Sequence, residues 1–246
     1  MALVAALLAL GVVAGFLPFL LQESGTAGRI PENGVGVLTP DGDGVAAGFA
    51  LPAPPGGMTG GAGALWVSSP EGHVVYRIDP VTRAVVQTIS VGPGAGGLAT
   101  GEDAVWVANA LVGTMSRIDV STNRVVQAIG AGSLPTAVAY GEGSVWATDP
   151  VGSAVFRIDP VTGRLIRTIA MSSAPSGIAV GGGSVWVASR SDNSVTRIDP
   201  ITGQTGDRIS VGGGPSAITF GSGSVWVANG LDSTVSRDRP ESRCGQ

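Results

Sequence analysis

The sequence predicts an all-β protein of four-stranded antiparallel sheets repeated around an axis, and two observations predict it. The first is a period. Trp66, Trp106, Trp146, Trp186 and Trp226 stand forty residues apart and are all five tryptophans of the 246-residue chain. Glycine precedes each by five residues (Gly61, Gly101, Gly141, Gly181, Gly221), and arginine follows each by eleven (Arg77, Arg117, Arg157, Arg197, Arg237). A fixed period of this length marks a repeat architecture. The second observation is the content of one period: four short apolar runs, each too short for a helix, separated by turn residues. Four strands per forty residues without a helix make a β-propeller blade.

Within one period the runs are residues 136–140, 144–148, 154–158 and 164–169, rich in β-branched and aromatic side chains. Gly141-Glu142-Gly143 joins the first two and recurs as Gly181 to Gly183 and Gly221 to Gly223, where glycine supplies the positive φ of a tight hairpin. Asp159-Pro160-Val161-Thr162-Gly163 joins the last two. Pro160 presets that turn, Asp159 accepts from a nearby backbone N–H, and Gly163 takes the left-handed position. Asn123 tolerates the same conformation; Arg83 does so less readily. The runs are apolar on both faces, as suits a blade sandwiched between two others. The five tryptophans are expected to wedge between blades, each burying about 200 Å².

Composition agrees. Gly accounts for 40 residues, 43% of the chain is hydrophobic and only 13% is charged, the profile of a turn-dense all-β protein. The net charge is −4 and every basic residue is arginine, spread along the repeats. Such a chain lacks the basic footprint of a nucleic-acid binder. His73 and Cys244 are the one histidine and the one cysteine. They provide neither an internal disulfide nor a His/Cys zinc site, and no cofactor or metal is expected.

Residues 2–21 form an apolar run broken only by Gly11, Gly15 and Pro18, just long enough to cross a hydrocarbon core of about 30 Å. We expect a hydrophobic helix anchoring the chain in a membrane, with a cleaved signal segment as the alternative. No Lys or Arg precedes the run, and the small residues Gly25 to Ala27 suit a peptidase. The protein is then membrane-anchored with an extracytoplasmic domain, or secreted or periplasmic. Residues 22–33 are a polar linker.

The propeller is expected over residues 34–237. Val37-Leu38-Thr39-Pro40 aligns with Arg77-Ile78-Asp79-Pro80, so a half-blade, 34–52, enters at strands three and four. Full blades follow over about 56–92, 95–131, 135–171 and 175–211, with a partial blade at 215–237. About five blades result, an incomplete ring rather than a closed one. Residues 238–246 are expected to be an irregular tail. Where the repeat demands Ile-Asp-Pro the chain reads Asp238-Arg239-Pro240. A reading frame displaced by one nucleotide produces that change, and we expect a truncated copy of a longer gene. Its nucleotide sequence refutes this if the alternative frame beyond codon 237 fails to resume the repeat.

The strings Val105-Trp-Val-Ala-Asn109, Ser116-Arg-Ile-Asp119 and Arg157-Ile-Asp-Pro-Val-Thr-Gly163 resemble bacterial YVTN/YncE-type repeats, of the broader NHL- and Vgb-like propellers. The likeness spans residues 34–237. It implies a periplasmic or surface binding domain, commonly of seven blades. The virginiamycin B lyases have a similar repeat type, and likeness to them would imply a metal and catalytic histidines. Only His73 is available here, so those roles do not carry over.

Residues that repeat identically report the scaffold. The tryptophans are read as core, and Arg77, Arg117, Arg157 and Arg197 with Asp79, Asp119, Asp159 and Asp199 as structural ion pairs and turn caps. Gly92 to Gly97 matches a dinucleotide fingerprint by letter, but a strand follows it instead of a helix. Function is expected where repeats differ, in the loops after strand two. Glu71, His73, Asn109, Asp149, Arg190, Asp192, Asn229 and Asp232 are the candidate binding residues there, with no catalytic group among them. The expected function is non-catalytic recognition of a protein or small ligand. A lyase-like enzyme and a fragment without function are the alternatives.

Overall fold

The computed structural model describes residues 29–101 and 103–240. The expected membrane segment, 2–21, lies outside the described residues. Among those described, no helix is long and apolar enough to cross a membrane.

The all-β reading holds. Strands β1 (Gly34–Leu38) and β2 (Val45–Ala50) form a two-stranded sheet. Four blades follow, each an antiparallel meander. The first is β3 (Met58–Gly61), β4 (Ala64–Ser69), β5 (Val74–Ile78) and β6 (Val85–Ser90). The second is β7 (Ala95–Thr100), β8 (Ala104–Asn109), β9 (Thr114–Asp119) and β10 (Arg124–Gly130), with a 3-10 turn at Ala110–Val112. The third is β11 (Val138–Gly141), β12 (Ser144–Asp149), β13 (Ala154–Ile158) and β14 (Leu165–Ala170). The fourth is β15 (Pro175–Val180), β16 (Val185–Ser189), β17 (Ser194–Ile198) and β18 (Thr205–Ser210). A three-stranded blade, β19 (Pro215–Gly221), β20 (Ser224–Asn229) and β21 (Thr234–Asp238), ends the series. Asp238 pairs with Val225, one residue beyond the expected limit.

The turns behave as their residues dictate. Glu142 and Gly143 both have positive φ, 50° and 65°, the pair a type I′ hairpin requires. At the turns between strands three and four, Arg83, Asn123, Gly163 and Gly203 are all left-handed, with φ of 61°, 55°, 67° and 71°. Arg83 therefore adopts a conformation its side chain disfavours.

The three repeated residues form one unit. Trp146 lies directly opposite Arg157 across the β12–β13 hairpin, and Trp66, Trp106, Trp186 and Trp226 face Arg77, Arg117, Arg197 and Arg237 in the same register. Each guanidinium lies over its tryptophan ring, 4.7 to 5.7 Å from the centroid, a cation–π contact. The indole N–H donates to the carbonyl of the glycine five residues earlier in four blades, at 3.0 to 3.2 Å. A Cβ on Gly141 would come 2.6 Å from Val180 of the next blade, so only glycine permits that approach.

The first four tryptophans wedge against the following blade, as expected. Trp66 packs with Val105, Val107 and Ile118; Trp146 packs with Val185, Val187 and Ile198. Trp66, Trp106, Trp146 and Trp186 are at most 1% exposed, whereas Trp226 is only partly buried. At the other end the half-blade covers the first blade, Val35 and Leu51 packing with Val67, Tyr76 and Ile78. Among the described residues no sheet joins the two ends. β21 holds the third-strand place beside β20, and β1 pairs with β2 alone, which leaves the arc open.

The expected Arg–Asp ion pairs do not form. The two salt bridges among the described residues are Arg117–Asp103 and Arg208–Asp192. Asp79, Asp119, Asp159 and Asp199 instead accept the N–H groups two and three residues ahead, at 2.7 to 3.0 Å. Each carboxylate sits where its strand ends, within reach of its own turn. Each guanidinium is held back over the indole, and two of them reach forward. Arg77 donates to the Val120 carbonyl and to Oδ1 of Asn123, and Arg157 to the Ile201 carbonyl, all in the next blade.

Candidate recognition face

The turns between strands two and three share one face with the connectors between blades. Val91, Ala131, Met171 and Val211, at the start of each connector, donate their N–H to the carbonyls of His73, Gly113, Ser153 and Asn193. Those four, and Ser233, all have positive φ, between 47° and 64°. His73 thus occupies a backbone-defined turn position, exposed to solvent. Glu71, two residues before it, is also exposed.

Three of the candidates belong to the scaffold. Asp149 is 1% exposed, and its carboxylate accepts the N–H groups of Ser133, Leu134 and Gly152 at 2.7, 3.2 and 3.0 Å. Burial works to raise its pKa, but the three hydrogen bonds outweigh it and hold the group below the usual range. It clamps the connector between the second and third blades to a turn. Asn109 ends β8 in the equivalent place, also 1% exposed. Its amide N–H groups donate to Thr114 and Ser116, and its Oδ1 has no partner. The reason is local: Pro93 stands one period before Ser133 and has no N–H to donate. Asn229 repeats the pattern with Thr234 and Ser236, and its Oδ1 is also unpaired. There the Gly213 N–H is taken by Asp232 at 2.6 Å.

The remaining candidates reach the surface. Asp232 accepts from Thr234 and Gly213, which together lower its pKa. Asp192 is desolvated, yet hydrogen bonds from Ser194 and Arg208 lower its pKa as well. Arg190 is exposed. Sequence reasoning missed the apolar tips: Leu111, Val151 and Leu231 are 70%, 67% and 72% exposed. All three occupy the repeat position of Glu71, and that shared register was the signal available. Around the arc the face presents apolar knobs at three tips and charge at Glu71, Arg190, Asp192 and Asp232. Among the described residues no cluster of His, Cys, Asp and Glu is arranged to hold a metal. On the opposite face, a cavity of about 240 Å³ between the second and third blades is lined by Asp103, Trp106, Arg117, Tyr140 and Val161.

No protein-family model matches the chain, and no curated protein matches it. Solved structures do. A streptogramin B lyase structure aligns at TM-score 0.72 with 20% identity, covering 83% of this chain and 72% of that one. Hydrazine synthase of Kuenenia stuttgartiensis aligns at TM-score 0.51 with 12% identity, covering 78% and 97%. The computationally designed Ika4 protein aligns at 0.54 with 20% identity, covering 61% and 96%. These likenesses establish the β-propeller fold.

Proposed function

We propose that the protein is an extracytoplasmic binding or sensor propeller, anchored or exported through residues 2–21, that recognises a protein or ligand with its connector-and-turn face. The observation that carries this reading is the contrast at one repeat position. All five turns place a left-handed residue two positions after the tip, while the exposed tips themselves read Glu71, Leu111, Val151, Ser191 and Leu231. A fixed frame bearing different side chains is how recognition surfaces are built. Capture from a membrane extract by the protein, and loss of capture by the variant with Leu111, Val151 and Leu231 all changed to Asp, supports the reading. Equal capture by both overturns it. Retention in the membrane pellet after carbonate washing tests the anchor; a mature N-terminus near Gly28 means secretion instead.

The likeness to a lyase structure favours a second reading, ring opening of a cyclic lactone with acid–base groups on the same face. Glu71 and His73 are the groups for it. Turnover by the protein that Glu71→Gln with His73→Gln abolishes would establish this reading in place of the first.

A further inference from the structure

We propose that the junction between the second and third blades, on the face opposite the connectors, is a binding site for a small zwitterion, an α-amino acid with an apolar side chain. The site is the cavity of about 240 Å³ lined by Asp103, Trp106, Arg117, Tyr140 and Val161. Pockets for drug-sized ligands run to roughly 300–1,000 Å³, so this one takes a smaller molecule. Three departures from the repeat meet there. Asp103 stands where the other four blades have Gly63, Gly143, Gly183 and Gly223. Tyr140 stands where the blades on either side have Thr100 and Val180, and Ala104 where the last three have Ser144, Ser184 and Ser224. At the junctions before and after this one, Arg77 and Arg157 reach forward to the carbonyls of Val120 and Ile201. Arg117 turns back to its own blade, Nη2 meeting Oδ2 of Asp103 at 3.3 Å, and the cavity lies between it and the turn at Val161.

The charges define the ligand. Nε of Arg117 is buried without a partner, which penalises the present position of the guanidinium. A carboxylate in the cavity relieves that penalty: with a small shift of the guanidinium, Nε and one Nη donate to it in parallel. The Arg117 side chain is 19% exposed and that of Asp103 75%, so the anionic end of the ligand sits deep and Asp103 stands at the mouth to accept from a cation. A lone carboxylate would face Asp103, and a lone amine would face Arg117. An α-amino acid carries both charges side by side and meets an opposite charge at each. Trp106, already stacked on Arg117, half-buried Tyr140 and the exposed Val161 give its side chain apolar walls.

Isothermal titration calorimetry of the full chain with L-phenylalanine and L-leucine tests this, with hydrocinnamate and phenethylamine as analogues that each lack one charge. At least one amino acid should bind saturably at one site, and both analogues roughly tenfold more weakly. Arg117→Gln should weaken amino-acid binding by roughly tenfold or more. Ala104→Ser gives Nε a partner inside the blade and should weaken binding roughly threefold; it decides the matter if Arg117→Gln fails to fold. Asp103→Asn should weaken the amino acid and leave hydrocinnamate unchanged or tighter. Failure of both amino acids to bind saturably, equal binding by an analogue with a single charge, or binding indifferent to Ala104→Ser and Asp103→Asn overturns the proposal.

Discussion

Nε of Arg157 donates to Oγ of Ser144 at 2.9 Å, and Arg197 and Arg237 make the same bond to Ser184 and Ser224. One period earlier Ala104 takes the place of the serine, and the buried Nε of Arg117 has no partner. Ala104→Ser should supply it and stabilise the protein by about 1 kcal/mol. Ser144→Ala should cost a similar amount by orphaning Arg157. Urea unfolding of both variants checks this, and a loss from Ala104→Ser would refute it.

The tryptophans should not be equivalent. Trp146→Ala removes a fully buried wedge and its cation–π partner, and should cost about 4 kcal/mol. Trp226→Ala removes a partly exposed one and should cost less than half as much. Equal losses in thermal unfolding would contradict the open arc.

Arg83 adopts φ of 61° where the third and fourth blades use Gly163 and Gly203. A left-handed non-glycine residue costs about 1–2 kcal/mol, offset in part by the greater freedom of glycine in the unfolded chain. Arg83→Gly should therefore stabilise by about 0.5 kcal/mol, and Gly163→Ala should destabilise. Paired denaturation midpoints read both signs.

The turn aspartates make the protein acid-sensitive in a defined window. Backbone hydrogen bonds from Thr82, Thr162 and Thr202 lead in lowering Asp79, Asp159 and Asp199. The Ser121 hydroxyl leads for Asp119, bringing it from 3.8 to about 2. The folded state thus binds fewer protons than the unfolded one. Its advantage is complete above the ordinary carboxylate value and is lost as pH falls through the folded values. The melting temperature should be flat near neutrality and fall from about pH 4 towards pH 2. Asp119→Asn should make that fall shallower; an unchanged profile would show that its turn does not contribute.

Much of this fold is legible from spacing alone. Five tryptophans in a forty-residue step give the blades, and Val37 to Pro40 aligned with Arg77 to Pro80 gives the half-blade. What spacing conceals is the partner of each charged group. Arg157 and Asp159 are two residues apart and invite pairing, yet the hairpin places Arg157 opposite Trp146 and Asp159 at its own turn. The candidate face was legible only in part. Asp149 and Asn109 vary between repeats, which suggested exposure, but both end a buried strand and point at connectors. The apolar tips at Leu111, Val151 and Leu231 stand exposed, and apolar letters in a short loop do not by themselves distinguish an exposed tip from a residue folded back onto the core.

The press of Trp66, Trp106, Trp146 and Trp186 into the blade that follows each gives the molecule a direction. Every blade is fastened by the one before it, so stability is a sum of nearest-neighbour links along a line. The first blade is hemmed by Val35 and Leu51, while the last is frayed at Val235. Thermal opening should therefore start at β21 and travel towards β3 like a seam giving way, with exchange of backbone hydrogens ordered along the sequence rather than by depth.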